Sequence, residues 1–195
     1  MRHLTLAVAV LILMSTSLIA QNNRSAVSLT ENDAATCTVP VNGNTGLPSS
    51  ASIDHALMEK NGTDGLLVDN ATVEIRNSVA SGNGVVGVWA DASTGSTADV
   101  SADNYQAIRD ITGLYAGTGP GTSKLMVSNS VDPSNTNVGI AVNDVGIVRA
   151  SNNTVTANSI GFGQFNTGIF RSRGNNTVDG NPSPSVGTIA PFSAM

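Results

Sequence analysis

Between residues 73 and 175 the chain alternates apolar or small residues with polar ones in short runs, each ending at an asparagine. The runs are Val73-x-Ile75-x-Asn77, Val100-x-Ala102-x-Asn104, Leu125-x-Val127-x-Asn129 and Val148-x-Ala150-x-Asn152, with a weaker copy at Phe170-x-Ser172-x-Gly174-Asn175. Successive asparagines recur every ~20–30 residues, and the spacing tightens toward the C-terminal end. Alternation with period two predicts strands that bury one face. A second landmark follows each asparagine: Gly87-Val88, Gly113-Leu114, Gly139-Ile140 and Gly161-Phe162, with Asn83, Asn135 or Asn137, and Asn158 in the turns between. Each unit therefore predicts a strand, an asparagine bend, a second strand, a Gly/Asn turn and a third strand opening with Gly-apolar.

Repeats of this length built only from short strands and turns specify a coiled solenoid. One unit cannot bury its own apolar side, but stacked units can, with Val73 over Val100 and Ile75 over Ala102. Asparagine suits the bends because it tolerates a left-handed backbone and its amide both donates and accepts. At a rung spacing of ~4.8 Å, Asn77, Asn104, Asn129, Asn152 and Asn175 are expected to form a structural ladder.

The start of the repeat is contested by local propensity. Residues 52–62 (SIDHALMEKNG) look like a capped helix. Yet Ala51-x-Ile53-x-His55 precedes Val73-x-Ile75-x-Asn77 by one repeat length, and Gly65-Leu66 precedes Gly87-Val88 by the same offset. Two landmarks in frame favour a first rung. Residues 21–50 show no period and read as an irregular lead-in or N-terminal cap, with one strand near Thr36 to Val41. The Pro/Ser-rich residues 182–195 are expected to drape over the last coil as a cap. The division is thus 1–20, 21–50, a solenoid of about six rungs over 51–181, and 182–195.

Arg2 and His3 precede an uncharged apolar run from Leu4 to Leu13, and polar residues begin at Gln21. This predicts a secretory signal peptide cut after Ala20, and hence a secreted or periplasmic chain. Ser15 to Ser17 make the run too short for a membrane span, and no later stretch is long enough. Cys37, the single cysteine, excludes an internal disulfide framework and a cysteine-based zinc site. The net charge of -5, with 9 Lys+Arg against 14 Asp+Glu, offers no basic stripe for nucleic acid. Gly (20) and Asn (21) together exceed a fifth of the chain, whereas charged residues are 12% and aromatics 4%.

The recurring Asn-Ser/Thr-Val, Asn-bearing turn and Gly-apolar step resemble the parallel β-helix repeats of the pectate-lyase-like superfamily, in particular its short secreted bacterial members. The stretches that carry the likeness are IRNSVASGNGVVGVWA, MVSNSVDPSNTNVGIAV, ASNNTVTANSIGF and SRGNNTVDGN, within residues 51–181. The resemblance implies an all-β, right-handed coil with three parallel sheets and, for relatives of this small type, no established activity.

The residues offer little chemistry. The Asn-Thr-Asp, Asp-Asp, Gly-His-Gly and Arg-Ile-Lys motifs of polygalacturonase-like members are absent, and no acidic pair suits glycoside hydrolysis. Ile53-Asp54-His55 matches three residues of a pectate-lyase motif, but His55 falls where other rungs place the bend asparagine. Asp69, Asp91, Asp99, Asp103 and Asp110 are dispersed, and read as solvated turn residues rather than a calcium cage. No catalytic residue, metal site or cofactor is assigned.

Alternation on the third strand points Trp89 and Tyr115 outward on successive rungs, between Leu67 and Ala141. Stacked aromatics there would give a flat platform for a sugar ring. On the first strand Arg149, Arg171 and Arg173 gather near the C-terminal end. The expected function is a non-enzymatic exported protein binding polysaccharide or another cell-surface polymer. The alternative is a minimal or degenerate lyase acting on an acidic polysaccharide.

Overall fold

The computed structural model describes the chain over residues 49–192, together with short strands at Ser28–Leu29 and Cys37–Val39. Residues 1–20, on which the expected signal peptide falls, lie outside the described residues. The fold is an all-β solenoid of about six turns, with no helix among the described residues. Three parallel sheets of seven strands form its walls. The first sheet holds the long strands Ser49–Asp54, Ala71–Arg76, Thr97–Asp103, Thr122–Ser128, Ile147–Ser151, Ile169–Ser172 and Ile189–Pro191. The second holds short strands such as Leu57–Glu59, Val79–Ser81 and Gln106–Ile108. The third holds Leu66–Val68, Val86–Ala90, Thr112–Ala116, Val138–Val142, Ile160–Gln164 and Ser183–Val186, begun by Cys37–Val39.

Register follows the alternation. Val73 pairs with Val100 and Ile75 with Ala102, and all four are buried. Ser49–Asp54 pairs with Ala71–Arg76, so residues 51–63 form a rung and not a helix. A local helical propensity loses because Ile53 and Met58 reach the core as strand residues on either side of a corner, with Ala56 buried just past it.

One expectation about the ends is corrected. Residues 182–191 do not drape: Ser183–Val186 and Ile189–Pro191 pair in parallel with the preceding rung and continue the coil. In the lead-in the strand expected near Thr36 to Val41 is present as Cys37–Val39, paired with Leu66–Val68, and a further strand, Ser28–Leu29, pairs with Leu57–Met58. Both pairings share one sequence offset, longer than that of any later pair of strands, which hides them from a search for a constant period.

The first corner of each turn needs a left-handed residue. His55, Asn77, Asn104, Asn129 and Asn152 occupy it, with φ between 48° and 55°. Asn104 Nδ2 donates to Asn77 Oδ1 at 2.7 Å and Asn152 Nδ2 to Asn129 Oδ1 at 2.6 Å. Asn77 donates instead to Asp54, and Asn129 to Asp103. These bonds hold the Asp54 and Asp103 carboxyls below the usual aspartate range; for Asp103 the larger contribution comes from the Ser128 hydroxyl. Asn175 does not occupy the corner. Gly174 takes the left-handed position (φ 79°), and Asn175 Oδ1 accepts from the Asn152 backbone.

A second ladder lies inside the coil. Asn61, Asn83, Asp110, Asn135, Asn158 and Asn181 stand on successive rungs and are all buried. The pattern is uniform. Each backbone N–H from Asn61 to Asn158 donates to the side-chain Oδ1 one rung on, at 2.7–3.1 Å. Each Asn amide from Asn83 onward donates to an interior carbonyl: Met58, Ala107, Asp132 and Val155 in turn. The residue after the bend repeats the device, since Ser130 N–H reaches Asn153 Oδ1 and Asn153 N–H reaches Asn176 Oδ1. This is the structural content of the Asn-Ser/Thr-Val motif.

Asp110 is therefore not a solvated turn residue. It takes an asparagine's place in the inner ladder. Its Oδ1 accepts from Asn83, but Oδ2 has no hydrogen-bond partner among the described residues. Burial pushes this carboxyl up to about 6, against the Asn83 bonds that lower it. Asp132 is fully buried, and neither of its oxygens finds a partner among the described residues. Burial, reinforced by the nearby Asp110, raises it well above the usual range.

The Gly-apolar landmark also has a cause. A Cβ at Gly87 would stand 2.5 Å from the Gly113 carbonyl oxygen, and one at Gly113 would stand 2.6 Å from that of Gly139. The rungs close only because this column has no side chains.

Three outcomes test these points by thermal or denaturant unfolding. Gly113→Ala is expected to destabilise by about 1–3 kcal/mol through backbone overpacking. Asn158→Ala leaves the Asn135 N–H and the Asp132 carbonyl unpaired in the interior, at about 2–4 kcal/mol. For Asp110 the folded chain holds a proton that the unfolded chain releases above its lower, ordinary value. That stabilisation is complete below pH ~4 and is lost as pH rises through about 6, approaching ~3 kcal/mol. Asp132 acts in the same direction. Asp110→Asn, which restores the missing amide, and Asp132→Val are expected to raise stability at pH 8 and flatten this dependence.

Candidate functional site

The outer face of the third sheet carries the column Leu67, Trp89, Tyr115, Ala141 and Gly163, each paired with the next. Side-chain size falls abruptly along it. Beyond Tyr115 the wall drops to a methyl group and then to nothing. Phe165 folds back into that space: a Cβ at Gly163 would lie 2.7 Å from the Phe165 ring. The result is a groove of about 260 Å³ between Tyr115 and Phe165, with Ala141 as its floor. Val85, Val86, Thr112, Asn137 and Val138 line one side and Thr118 the other.

The structure brings Trp89 and Tyr115 together on adjacent strands, but not as a flat platform. Their rings meet edge to face, with centroids 5.9 Å apart and planes at 64°. The reason is a tether that spacing cannot show. Trp89 Nε1–H donates to the Gly117 carbonyl at 3.0 Å, which ties the indole to the loop following Ala116. Both residues are half-buried. The groove thus has one tilted aromatic wall, with Phe165 opposite.

The groove lining contains no charged residue. Its edge is acidic. The Tyr115 phenol is raised above its ordinary value, chiefly by burial and further by the Asp144 and Asp91 charges, while a hydrogen bond from Asn143 opposes this. Asp91 is fixed by Thr118 Oγ1 and by the Gly119 N–H at 2.6 Å. Asn166 Nδ2 binds both Asn143 and Asp144, which locks the far edge. Polar hydroxyls, amides and carboxylates thus frame an apolar floor.

Sequence reasoning missed Phe165 and Asn137. Phe165 lies just past the third strand, outside the alternation. The signal for it was the small pair Ala141 and Gly163 beneath an otherwise bulky column. The other singled-out residues lie elsewhere. His55 sits at a corner, 68% exposed, with Nδ1 3.0 Å from Asp54. Arg149, Arg171 and Arg173 belong to the first sheet or the turn directly after it. A shallower concavity of about 410 Å³ runs over the second corner, lined by Ser134–Thr136, Ala157–Ser159, Gly180 and Pro182, and it has no aromatic wall. Among the described residues no three His, Cys, Asp or Glu side chains converge to hold a metal ion.

No family model, no curated protein and no solved structure matches this chain.

Proposed function

We propose that the protein is a non-enzymatic, exported polysaccharide-binding solenoid whose binding site is the groove on the third sheet. The observation that carries this reading is the aromatic wall of Trp89, Tyr115 and Phe165 around an uncharged, half-apolar depression. Sugar rings present an apolar C–H face ringed by hydroxyls. Such a ring needs aromatic surface beneath it and hydrogen-bonding groups at its margin. Thr112, Thr118, Asn137 and the Tyr115 hydroxyl supply the margin. A polymer suits the site because the groove runs along a wall of the coil and is open to solvent. The acidic edge at Asp91 and Asp144 favours uncharged sugar units over uronates, since like charges repel at this range.

The reading expects retention on immobilised neutral polysaccharide and no unsaturated uronide product from pectin or alginate, with or without calcium. Trp89→Ala is expected to weaken retention by at least about tenfold with the β-sheet circular dichroism unchanged, and Tyr115→Phe by a smaller factor. Equal retention of Trp89→Ala and the parent chain would remove the groove from the binding role, and turnover of a uronate polymer would replace binding by lyase action.

A further inference from the structure

The outer face of the first sheet is segregated by charge along the coil axis. Its N-terminal strands, Ser49–Asp54, Ala71–Arg76 and Thr97–Asp103, present Asp54, Glu74, Asp99 and Asp103 against a single guanidinium, Arg76. Past the middle the sign reverses. Arg149 and Arg171 are directly paired across neighbouring strands, Arg173 follows, and these strands present no carboxylate. Like charges placed opposite one another on a sheet are destabilising. Elsewhere on the face the cations are compensated, Arg76 by Glu74 and Lys124 by Asp99. Among the described residues Arg149, Arg171 and Arg173 have no ion-pair partner. Between the two halves sits Met126, 49% exposed, and beside the arginines Ile169 is 44% exposed.

We infer that this face pairs with the same face of a second copy in antiparallel fashion, Met126 lying at the two-fold axis. The register requires little else. A two-fold axis along Thr122–Ser128 reverses the order of rungs and keeps each column opposite itself. Met126 then meets its own copy. Arg171 meets Glu74 of the second copy, and Arg149 meets Ser101, flanked there by Asp99 and Asp103. Arg173 falls opposite Arg76, flanked there by Asp54 and Asp103. Lys124 falls opposite its own copy beside Met126, each lysine held by Asp99 of its own chain, so these two contacts weaken the pairing. Every contact off the axis occurs twice, so the surface is self-complementary, as an isologous dimer demands. Seven strands at ~4.8 Å by up to seven residues at ~3.3 Å cover about 600 Å² per copy. Twice that, about 1,200 Å², is the lower end of specific interfaces. The dimer is therefore modest in strength and sensitive to salt, because its attraction comes from exposed charges on either side of the centre. The groove lies on another wall, so pairing leaves two grooves open and would add avidity on a polymer.

Sedimentation equilibrium of the exported chain, at about 10–100 μM protein, tests this directly. Dimer is expected at about 50 mM salt, with a dissociation constant at least about tenfold higher at about 500 mM. Arg149→Glu combined with Arg171→Glu is expected to be monomeric with unchanged circular dichroism. A reciprocal variant, Glu74→Arg with Asp99→Arg, is also expected to be monomeric, and an equimolar mixture of the two variants is expected to restore a dimer. A parent chain that stays monomeric at low salt overturns the inference. So does a dimer that survives charge reversal, or a mixture of the two variants that fails to associate.

Discussion

Every turn of this solenoid must satisfy backbone groups at its corners, where sheet pairing is interrupted and water is excluded. Side-chain amides answer that demand from one rung to the next. In the inner ladder the Oδ1 of each residue takes the N–H of the rung before it, and each asparagine amide from Asn83 onward reaches an interior carbonyl. A buried unpaired amide costs free energy comparable to a lost hydrogen bond, so such positions in series outweigh any single hydrophobic contact. An apolar column can vary from Val100 to Leu125 to Phe170 without changing the coil. The ladder varies only from amide to carboxyl.

That one variation is informative. At Asp110 a carboxyl can accept as an amide does, but it has no hydrogen to give unless it is protonated. Asp132, on the neighbouring rung and pointing inward, compounds the cost. The middle of the coil thus holds buried carboxyl oxygens without a hydrogen-bond partner among the described residues. The buried carboxyls make the fold more stable in acid than in base, whereas Asp54 and Asp103, held ionised by hydrogen bonds at the outer corner, act in the opposite sense.

The outer surfaces are freer, because a strand side chain facing water contributes little to rung closure. Function is therefore expected on the walls. On the third sheet a column that shrinks from Trp89 and Tyr115 to Ala141 and Gly163 opens a depression, and Phe165 walls its far side. On the first sheet charge is sorted into opposite halves about Met126. Neither feature disturbs the ladders beneath it.

Much of this was legible in the sequence. Period-two runs ending at asparagine specified strands, rung register and the left-handed corner, because alternation and positive φ are local requirements that residue type meets directly. Gly-apolar steps marked the close approach of neighbouring backbones. The helical look of residues 52–62 misled only locally, as two in-frame landmarks outweighed it. What local pattern could not decide was partnership across rungs. Whether Asn129 bonds Asn104 or Asp103, whether Gly174 displaces Asn175 from the corner, and whether Asp110 is solvated or buried depend on loop lengths that change from turn to turn. The tilt of Trp89 against Tyr115 and the return of Phe165 over Gly163 were settled only when separate turns came into contact. A side chain's direction is set by its own strand, but its neighbours are set by the stacking of the whole coil.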